Sequence, residues 1–215
     1  MSQYKKEDLI LIDKPKGITS FDVIRQLRRK LNIKKMGHAG TLDPNASGLM
    51  LIGVEKGTKK LKDLIGLDKT YIAEILLGKK TDTGDITGKV IEEKEIPELN
   101  EDAIKEVLKS LEGEQELEVS LYSAIKRKGK PLYKYARAGE KIEKPKRVMT
   151  VYSANLKSGV LDTPPIVKVE FDVGSGTYIR SLAEELGERL GTVATLQNLR
   201  RTKIGNFEIK DAEKL

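Results

Sequence analysis

Apolar residues form short uninterrupted or alternating runs along the chain, the two patterns that predict β-strands. Leu9–Asp13 and Gly48–Val54 are nearly continuous apolar runs, which predicts buried strands. The sequence GKKTDTGDITG joins Thr70–Leu77 to Val90–Glu93 and is rich in turn-forming residues, so we predict that these two strands pair. The remaining predicted strands are Val148–Leu156, Ile166–Val173 and a last one near Ile204–Ile209.

Other segments place their apolar residues at the 3.6-residue period of an α-helix. No period persists from Gly113 to Arg147, which indicates an insertion or a mobile loop. Strands outnumber helices and occur in runs, so we predict an α+β fold with a mixed, largely antiparallel sheet and flanking helices. The predicted helices run from a cap at Thr19 or Ser20 to about Leu31, over Thr58–Ile65, from a cap at Asn100 to a stop at Gly113, and over Tyr178–Leu190.

Composition narrows the chemistry that the chain can perform. Its 215 residues suit one domain, which we expect to span 1–215 with an insertion at about 120–147. The absence of cysteine and the single histidine exclude disulfides, thiolate metal sites and multi-histidine zinc sites. No apolar run approaches the roughly 20 residues that span a bilayer, and the start of the chain lacks a signal-peptide pattern. We therefore expect a cytoplasmic protein with no membrane partner.

The charges are segregated along the chain. Lys126–Arg147 holds ten Lys and Arg against two Glu, whereas Glu92–Glu118 holds eleven acidic residues against three Lys. Such runs are often only solvated faces. In the basic run, however, Tyr133 and Tyr135 lie between the cations, a combination that suits contact with both the phosphates and the bases of a nucleic acid.

Three familiar binding motifs are incomplete in this sequence. GVEKGTKK lacks the Gly-Lys-Ser/Thr spacing of a phosphate-binding P-loop. GSGTYI follows a strand and begins a helix, but Ile179 stands where a dinucleotide fingerprint has its third glycine. DTGDITGKVIEE ends in an acid at its twelfth position, as a calcium-binding loop does, but Gly84, Ile86 and Thr87 stand where such a loop has oxygen ligands and its turn glycine. Nucleotide cofactors and calcium are therefore disfavoured.

The loop HAGTLDPNASG places Asp43 directly before a predicted buried strand. Pro44 biases Asp43 toward extended backbone, and glycines on both sides let the chain come close to a ligand. On its own, an Asp-Pro-Asn sequence is also a common turn. A nucleophilic role without a metal would require an ionised carboxylate beside a permanent cation, and Arg180, in the first turn of the helix after GSGTY, is the best candidate.

Six blocks that cover nearly the whole chain resemble, in family order, those of bacterial tRNA pseudouridine-55 synthases of the TruB type. One such block would be weak support, whereas six in register are strong. The blocks are KPKGITS (Lys14–Ser20), GHAGTLDPNASGLMLIGVEKGTK (Gly37–Lys59), KTYIAEILLGKKTDTGD (Lys69–Asp85), YSAIKRKGKPLYKYARAG (Tyr122–Gly139), GSGTYIRSLAEELG (Gly174–Gly187) and LRRTKIGNF (Leu199–Phe207).

The resemblance implies a reaction in which Asp43 is the nucleophile on a flipped-out uridine. The N1–C1′ bond breaks, the base rotates, and a C5–C1′ bond forms, with no cofactor and no metal. The carboxylate attacks C1′, attacks C6 or deprotonates the sugar. All three routes need it ionised, and the role implied for Arg180 is to keep it ionised. Tyr71 matches a tyrosine that stacks on the target base and is placed to remove the C5 proton, and stacking alone is the competing interpretation.

The resemblance also implies residues around the substrate. Tyr178 and Leu199 match positions that line the pocket, where plain core packing is the alternative. His38 matches the residue that fills the space left by the extruded base, although a single histidine is more often a hydrogen-bonded structural residue. Asp85 matches an acid near the RNA or caps a turn, and Lys14 shapes the pocket floor.

The basic insertion corresponds to a segment that holds the T-arm of tRNA in this family, and no obligate protein partner is expected. Many relatives add a C-terminal RNA-binding domain of the PUA type, which we do not expect in this chain. Two alternatives stay open: a catalytically silent RNA-binding or tRNA-folding module, and a synthase directed by guide RNA. The residues expected to bind RNA are Lys126, Arg127, Lys128, Lys130, Tyr133, Arg137 and Arg147.

Overall fold

A computed structural model describes residues 9–123, 125–140, 142–159 and 164–215. The strands are β1 (Leu9–Lys14), β2 (Met36–His38), β3 (Ala46–Val54), β4 (Lys69–Leu77), β5 (Lys79–Thr81), β6 (Val90–Glu93), β7 (Gly113–Glu118), β8 (Lys126–Arg127), β9 (Lys130–Pro131), β10 (Lys146–Gly159), β11 (Ile166–Val173), β12 (Ala194–Ile204), β13 (Phe207–Glu208) and β14 (Glu213–Lys214). The α-helices are α1 (Ser20–Leu31), α2 (Leu61–Ile65), α3 (Glu101–Ser110), α4 (Leu132–Arg137) and α5 (Ile179–Arg189), and Glu55–Lys60 and Ile209–Asp211 are 3₁₀ helices.

The chain forms two compact units. Of the described residues, unit 1 consists of 9–72 together with Leu199–Leu215, and unit 2 consists of those between Ala73 and Asn198. Strands β4 and β12 each contribute residues to both units. Among the residues that the structure describes, no helix has the length and apolarity needed to cross a membrane.

In unit 1 the strands lie in the order β14-β1-β3-β12. β1 and β2 run antiparallel to β3, whereas β14 runs parallel to β1 and β12 runs parallel to β3. Eight of the nine residues of β3 are buried, which confirms the buried strand predicted from its apolar run. Strand β3 has neighbouring strands on both sides, so the loop that precedes it ends at a fixed position.

Helix α1 begins where the sequence predicts. Thr19 caps it, since the Asp22 N–H donates to Thr19 Oγ1 at 3.1 Å and the Thr19 N–H donates back to Asp22 Oδ2 at 2.8 Å, a reciprocal capping box. Val23, Ile24 and Leu27 are buried, as their 3.6-residue spacing predicts. One face of α1 is thus packed in unit 1 and the opposite face is exposed.

In unit 2 the strands lie in the order β4-β11-β10-β7, and β10 runs antiparallel to both β11 and β7. Alternate residues of β11 are buried, as its sequence pattern predicts. Helix α3 contacts β10, and α5 contacts both α3 and β7. The predicted α+β fold with a mixed, largely antiparallel sheet is therefore confirmed.

Two strand predictions were wrong. Val90–Glu93 does not pair with β4 but with β5, a strand of two lysines and a threonine that has no apolar pattern, and the two form a separate hairpin. The last long strand is β12, Ala194–Ile204, and the segment predicted near Ile204–Ile209 contains only the short β13. The aperiodic region after Gly113 contains β7, the β8–β9 hairpin and α4. These elements are too short or too polar to produce a periodic pattern of apolar residues in the sequence.

Candidate active site and RNA interface

Asp43 lies in the loop between β2 and β3, and both of its neighbours in the chain are held by the segment Lys14–Ser20. On one side, Leu42 N–H donates to Ser20 Oγ at 2.9 Å and Ser20 Oγ donates to Leu42 O at 3.0 Å. On the other side, Pro44 O accepts from Gly17 N–H at 2.8 Å. Asp43 itself is half-buried. The backbone on both sides of Asp43 is thus held in place by hydrogen bonds.

Lys14 is a fully buried cation beside this loop. Its Nζ donates to Pro15 O at 2.9 Å, to Ile18 O at 2.8 Å and, at a longer 3.5 Å, to Pro44 O. Burial lowers the pKa of Lys14 to about 8, and the negative charge of Asp43 opposes that shift. Lys14 therefore holds the turn that it belongs to and places a positive charge near Asp43.

Arg201, on β12, holds the same loop from its other end. Its side chain is buried, and it donates from Nε to Leu49 O at 2.8 Å and from Nη2 to Gly40 O at 3.2 Å. Gly48 lies opposite Arg201 in the parallel pairing of β3 and β12. A Cβ atom at Gly48 would lie 2.2 Å from Arg201 O, and the φ angle of Gly48 is +111°, so both sterics and backbone require glycine.

The other predicted residues of unit 1 lie on the strands around this loop. His38 ends β2, is half-buried, and has a pKa below its usual value chiefly because burial disfavours the charged ring. Its Nδ1 is buried with no hydrogen-bond partner among the residues described. Tyr71 is buried on β4, and Leu199, on β12, lies opposite Ala46 in register.

In unit 2, Arg180 lies in the first turn of α5, as predicted, and is buried. Its guanidinium donates to Thr83 O at 2.8 Å, to Ser120 Oγ at 3.3 Å and to Tyr122 O at 3.1 Å. The fork geometry of arginine lets this one side chain join the segment at Thr83 to the segment 120–122. Tyr178 is the residue that precedes α5, and its N–H donates to Met149 Sδ at 3.4 Å.

Asp85 caps its own turn in unit 2. Its Oδ1 accepts from Thr87 N–H at 2.9 Å and from Thr83 Oγ1 at 3.0 Å, and the residue is buried. The turn-capping role that the sequence left open therefore exists in the structure. A contact between Asp85 and RNA stays a prediction.

The basic insertion forms a small hairpin followed by α4. Arg127 Nη1 donates to Glu143 O at 2.8 Å, and its guanidinium also lies 3.5 Å from Glu143 Oε2. Lys130 Nζ lies 2.6 Å from Glu140 Oε1 and 4.3 Å from the centre of the Tyr135 ring. Lys126, Lys128 and Arg147 are exposed and Tyr133 is half-buried, whereas the side chain of Arg137 lies outside what the structure describes. Two of the predicted RNA-binding cations are thus already paired with glutamates.

Comparison with known families identifies the chain. Residues 28–179 match the family model for the N-terminal domain of TruB family pseudouridylate synthases, and residues 180–215 match that for the C-terminal domain of tRNA pseudouridylate synthase B. The chain belongs to the TruB family of pseudouridine synthases.

Curated relatives of this TruB-family chain include proteins named tRNA pseudouridine synthase B from three bacteria. The protein of Endomicrobium trichonymphae is 44% identical over 96% of this chain and 88% of its own length. Those of Fusobacterium nucleatum and Caldicellulosiruptor saccharolyticus are 45% and 47% identical over 95% of this chain and 70% and 69% of their own lengths. The resemblance stated from the sequence is therefore confirmed, and the chain is an enzyme of the isomerase class.

Solved structures of related chains share the fold. A chain in a Cbf5-Nop10-Gar1 complex is 30% identical with a TM-score of 0.74, over 98% of this chain and 53% of that one. A chain in an H/ACA ribonucleoprotein bound to a substrate RNA containing 2′-deoxyuridine is 28% identical with a TM-score of 0.70, over 97% of this chain and 51% of that one. This chain thus spans about half the length of these solved relatives.

Two residues that hold the Asp43 loop of this TruB-family enzyme could not be found from the sequence. Ser20 has the pattern of a possible helix cap, and Arg201 has no pattern that singles it out. Both lie inside blocks that carry the family resemblance, KPKGITS and LRRTKIGNF. The blocks are the only signal, because nothing in the sequence pairs Ser20 with Leu42 or Arg201 with Gly40.

Proposed function

We propose that this TruB-family enzyme isomerises the uridine at position 55, in the T-loop of tRNA, with Asp43 as its nucleophile. The observation that carries the proposal is that hydrogen bonds hold the residues on both sides of Asp43, while Asp43 itself is only half-buried. Holding a reacting group in a fixed position beside the bond that it attacks can supply a large part of the rate acceleration, because the entropy cost of orienting the group is already met.

The reaction needs no oxidant or reductant, since its product has the same composition as its substrate. The N1–C1′ bond breaks, the uracil ring rotates, and a C5–C1′ bond forms. C5 then loses its proton and N1 carries one in the product. Because uracil in a folded loop is stacked, the uridine must first leave the stack.

Charged and aromatic residues have separate roles in the proposal. Lys14 contributes a positive charge within unit 1 that attracts the Asp43 carboxylate. The family resemblance assigns Arg180 the role of a second cation, and Tyr71 stacks on the target base and takes the C5 proton. His38, whose pKa is lowered chiefly by burial, suits the space left by the extruded base.

The basic insertion is proposed to bind the T-arm. Its cations would replace counterions along the phosphate backbone, so affinity should fall steeply as salt rises. The family resemblance assigns Tyr178 and Leu199 to the pocket lining, and Asp85 fixes the turn that contacts Arg180 through Thr83.

The test is to incubate the purified protein with an unmodified tRNA transcript and to map pseudouridine along it. We expect product at the T-loop uridine with the parent protein, none with Asp43→Asn, and tRNA affinity of that variant within about tenfold of the parent, because the substitution removes chemistry and leaves phosphate contacts intact. Asp63→Asn, an exposed carboxylate on α2 in the same unit, is the matched control and should keep the parent rate. Turnover near the parent rate by Asp43→Asn would remove the nucleophile assignment.

A guide-directed synthase is the second candidate, because two solved relatives come from Cbf5 and H/ACA assemblies. The same assay separates the two, since a stand-alone enzyme forms product without added RNA or protein. The higher identity to proteins named tRNA pseudouridine synthase B supports the stand-alone enzyme.

A further inference from the structure

One face of α1 carries an exposed aromatic ring, Phe21, followed by the exposed Arg25 and the half-buried Arg28. Phe21 is 55% exposed, unusually high for a phenylalanine. The guanidinium carbons of Arg25 and Arg28 lie 5.7 and 5.8 Å from the centre of its ring, within the range of cation–π contacts. The three residues have i, i+4, i+7 spacing and so share one face of the helix. We call Phe21, Arg25 and Arg28 the α1 platform.

A shallow groove of about 610 Å³ adjoins the α1 platform, a volume within the roughly 300–1,000 Å³ typical of ligand clefts. The groove is strongly basic, because three arginines line it against one acid, Asp22, which already pairs with Arg25 and accepts from the capping residue Thr19. Arg28 Nη2 already donates to Met36 O at 3.2 Å, and the other N–H groups of the three arginines can donate to a ligand. The lining residues are Ile18, Asp22, Arg25, Gln26, Arg28 and Arg29.

The position of the α1 platform in unit 1 links it to the Asp43 loop. Phe21 directly follows Ser20, whose hydroxyl bonds to the backbone of Leu42, the residue before Asp43. From Phe21 to Arg28 the helix rises roughly 10 Å, at 1.5 Å per residue. RNA held at Asp43 would therefore pass close to the α1 platform.

We propose that the α1 platform is a second RNA-binding surface, in which Phe21 stacks on an unpaired base of the substrate tRNA and Arg25 and Arg28 bind the flanking phosphates. Extrusion of one nucleotide leaves its neighbours without a stacking partner, and an exposed aromatic ring supplies one to any base. The positive charge of the groove complements phosphate, which favours RNA over a protein partner. The inference rests on the proposed function only in that the substrate is tRNA held at Asp43.

Affinity for an unmodified tRNA transcript, measured by filter binding over a salt series, tests the proposal. Phe21→Ala should raise Kd by about fivefold or more, as expected for the loss of one stacked base. Phe21→Trp should restore affinity, and Arg25→Gln should lower the salt slope. Ile91→Ala is the matched control, because Ile91 is 61% exposed on β6, outside the α1 platform and its groove, and it should leave Kd unchanged. A Kd within twofold of the parent for folded Phe21→Ala would overturn the proposal.

Photo-crosslinking tests the contact between position 21 and tRNA without depending on the folding stability of a Phe21→Ala variant. Phe21→p-benzoylphenylalanine should crosslink to tRNA at nucleotides near the modified uridine. Crosslinking only to a second copy of the chain or to another protein would overturn the proposal. If Asp43 were not the nucleophile, Asp43→Asn would still turn over, yet the Kd and crosslink results for Phe21 would stand, so the two proposals fail separately.

Discussion

Ser20 and Leu42 exchange two hydrogen bonds across 22 positions of sequence, one at 2.9 Å and one at 3.0 Å. Both residues are buried, so neither backbone group of Leu42 has water as a replacement partner. Because Leu42 immediately precedes Asp43, the Ser20 hydroxyl fixes the point from which the proposed nucleophile projects. Ser20 is thus a positioning residue rather than a catalytic one.

Ser20→Ala should lower kcat by about 10- to 100-fold with little change in the Kd for tRNA, since a displacement of about 1 Å at a reacting group costs rate more than binding. Stability should also fall by about 1–3 kcal/mol, because the Leu42 groups lose their partner. Single-turnover rates at saturating enzyme and tRNA binding measure the two effects separately.

Thr19→Ala is the control for that variant. Thr19 caps the same helix and its loss should cost about 0.5–2 kcal/mol of stability, but it bonds to Asp22 and not to the Asp43 loop. We expect Thr19→Ala to lower the melting temperature while keeping the parent kcat. Equal losses of kcat in the two variants would mean that Ser20 acts only through helix stability.

Gly48→Ala should destabilise the enzyme by about 2–5 kcal/mol. A left-handed backbone costs about 1–2 kcal/mol for any L side chain, and forcing a Cβ into the 2.2 Å gap before Arg201 O adds about 1–3 kcal/mol of overpacking. Urea unfolding measures the loss. Gly17→Ala separates the two causes, because its φ is +87° with nothing within 4 Å of the added Cβ, so only the backbone cost of about 1–2 kcal/mol should appear.

Local patterns predicted the elements around the site. The apolar run before Val54 indicated β3, the Thr19 cap and the spacing of Val23, Ile24 and Leu27 indicated α1, and GSGTY followed by a helical period placed Arg180 in the first turn of α5. Each of these signals lies within a dozen neighbouring residues. A sequence shows such signals directly because local hydrogen bonds and side-chain spacing produce them.

The long-range parts could not be predicted. β12 contains consecutive arginines, which hydropathy does not assign to a strand, yet Arg201 is buried because it donates to carbonyls 152 and 161 positions away. The same limit applies to β6, whose partner is the polar strand β5 rather than the apolar β4. A buried polar side chain is stable only when its acceptors are in place, and no local pattern reveals acceptors so distant in sequence.

Because His38 is the only histidine, its titration can be followed without ambiguity. Burial lowers the pKa of His38 below 6.5, so the unfolded chain binds more protons than the native one as pH falls through 6.5. This group therefore contributes stability that is present above pH 6.5 and lost on acidification. The Hε1 NMR signal should titrate with a midpoint below 6.5, and the loss of stability between pH 7.5 and 5.5 should be smaller in His38→Gln. A midpoint at or above 6.5 would contradict the assignment.

The cations of the basic insertion should differ in their effect on tRNA binding. Lys126 and Lys128 have no ion pair within the part of the chain that the structure describes, whereas Arg127 and Lys130 are paired with Glu143 and Glu140. Neutralising Lys126 and Lys128 to Gln should lower the salt slope by about 1 for each phosphate that the protein no longer binds. Neutralising Arg127 and Lys130 to Gln removes the same net charge and so is the matched control. If the long-range field alone attracted tRNA, the two double variants would have equal slopes, so a larger decrease for Lys126 and Lys128 would identify direct binding to phosphate.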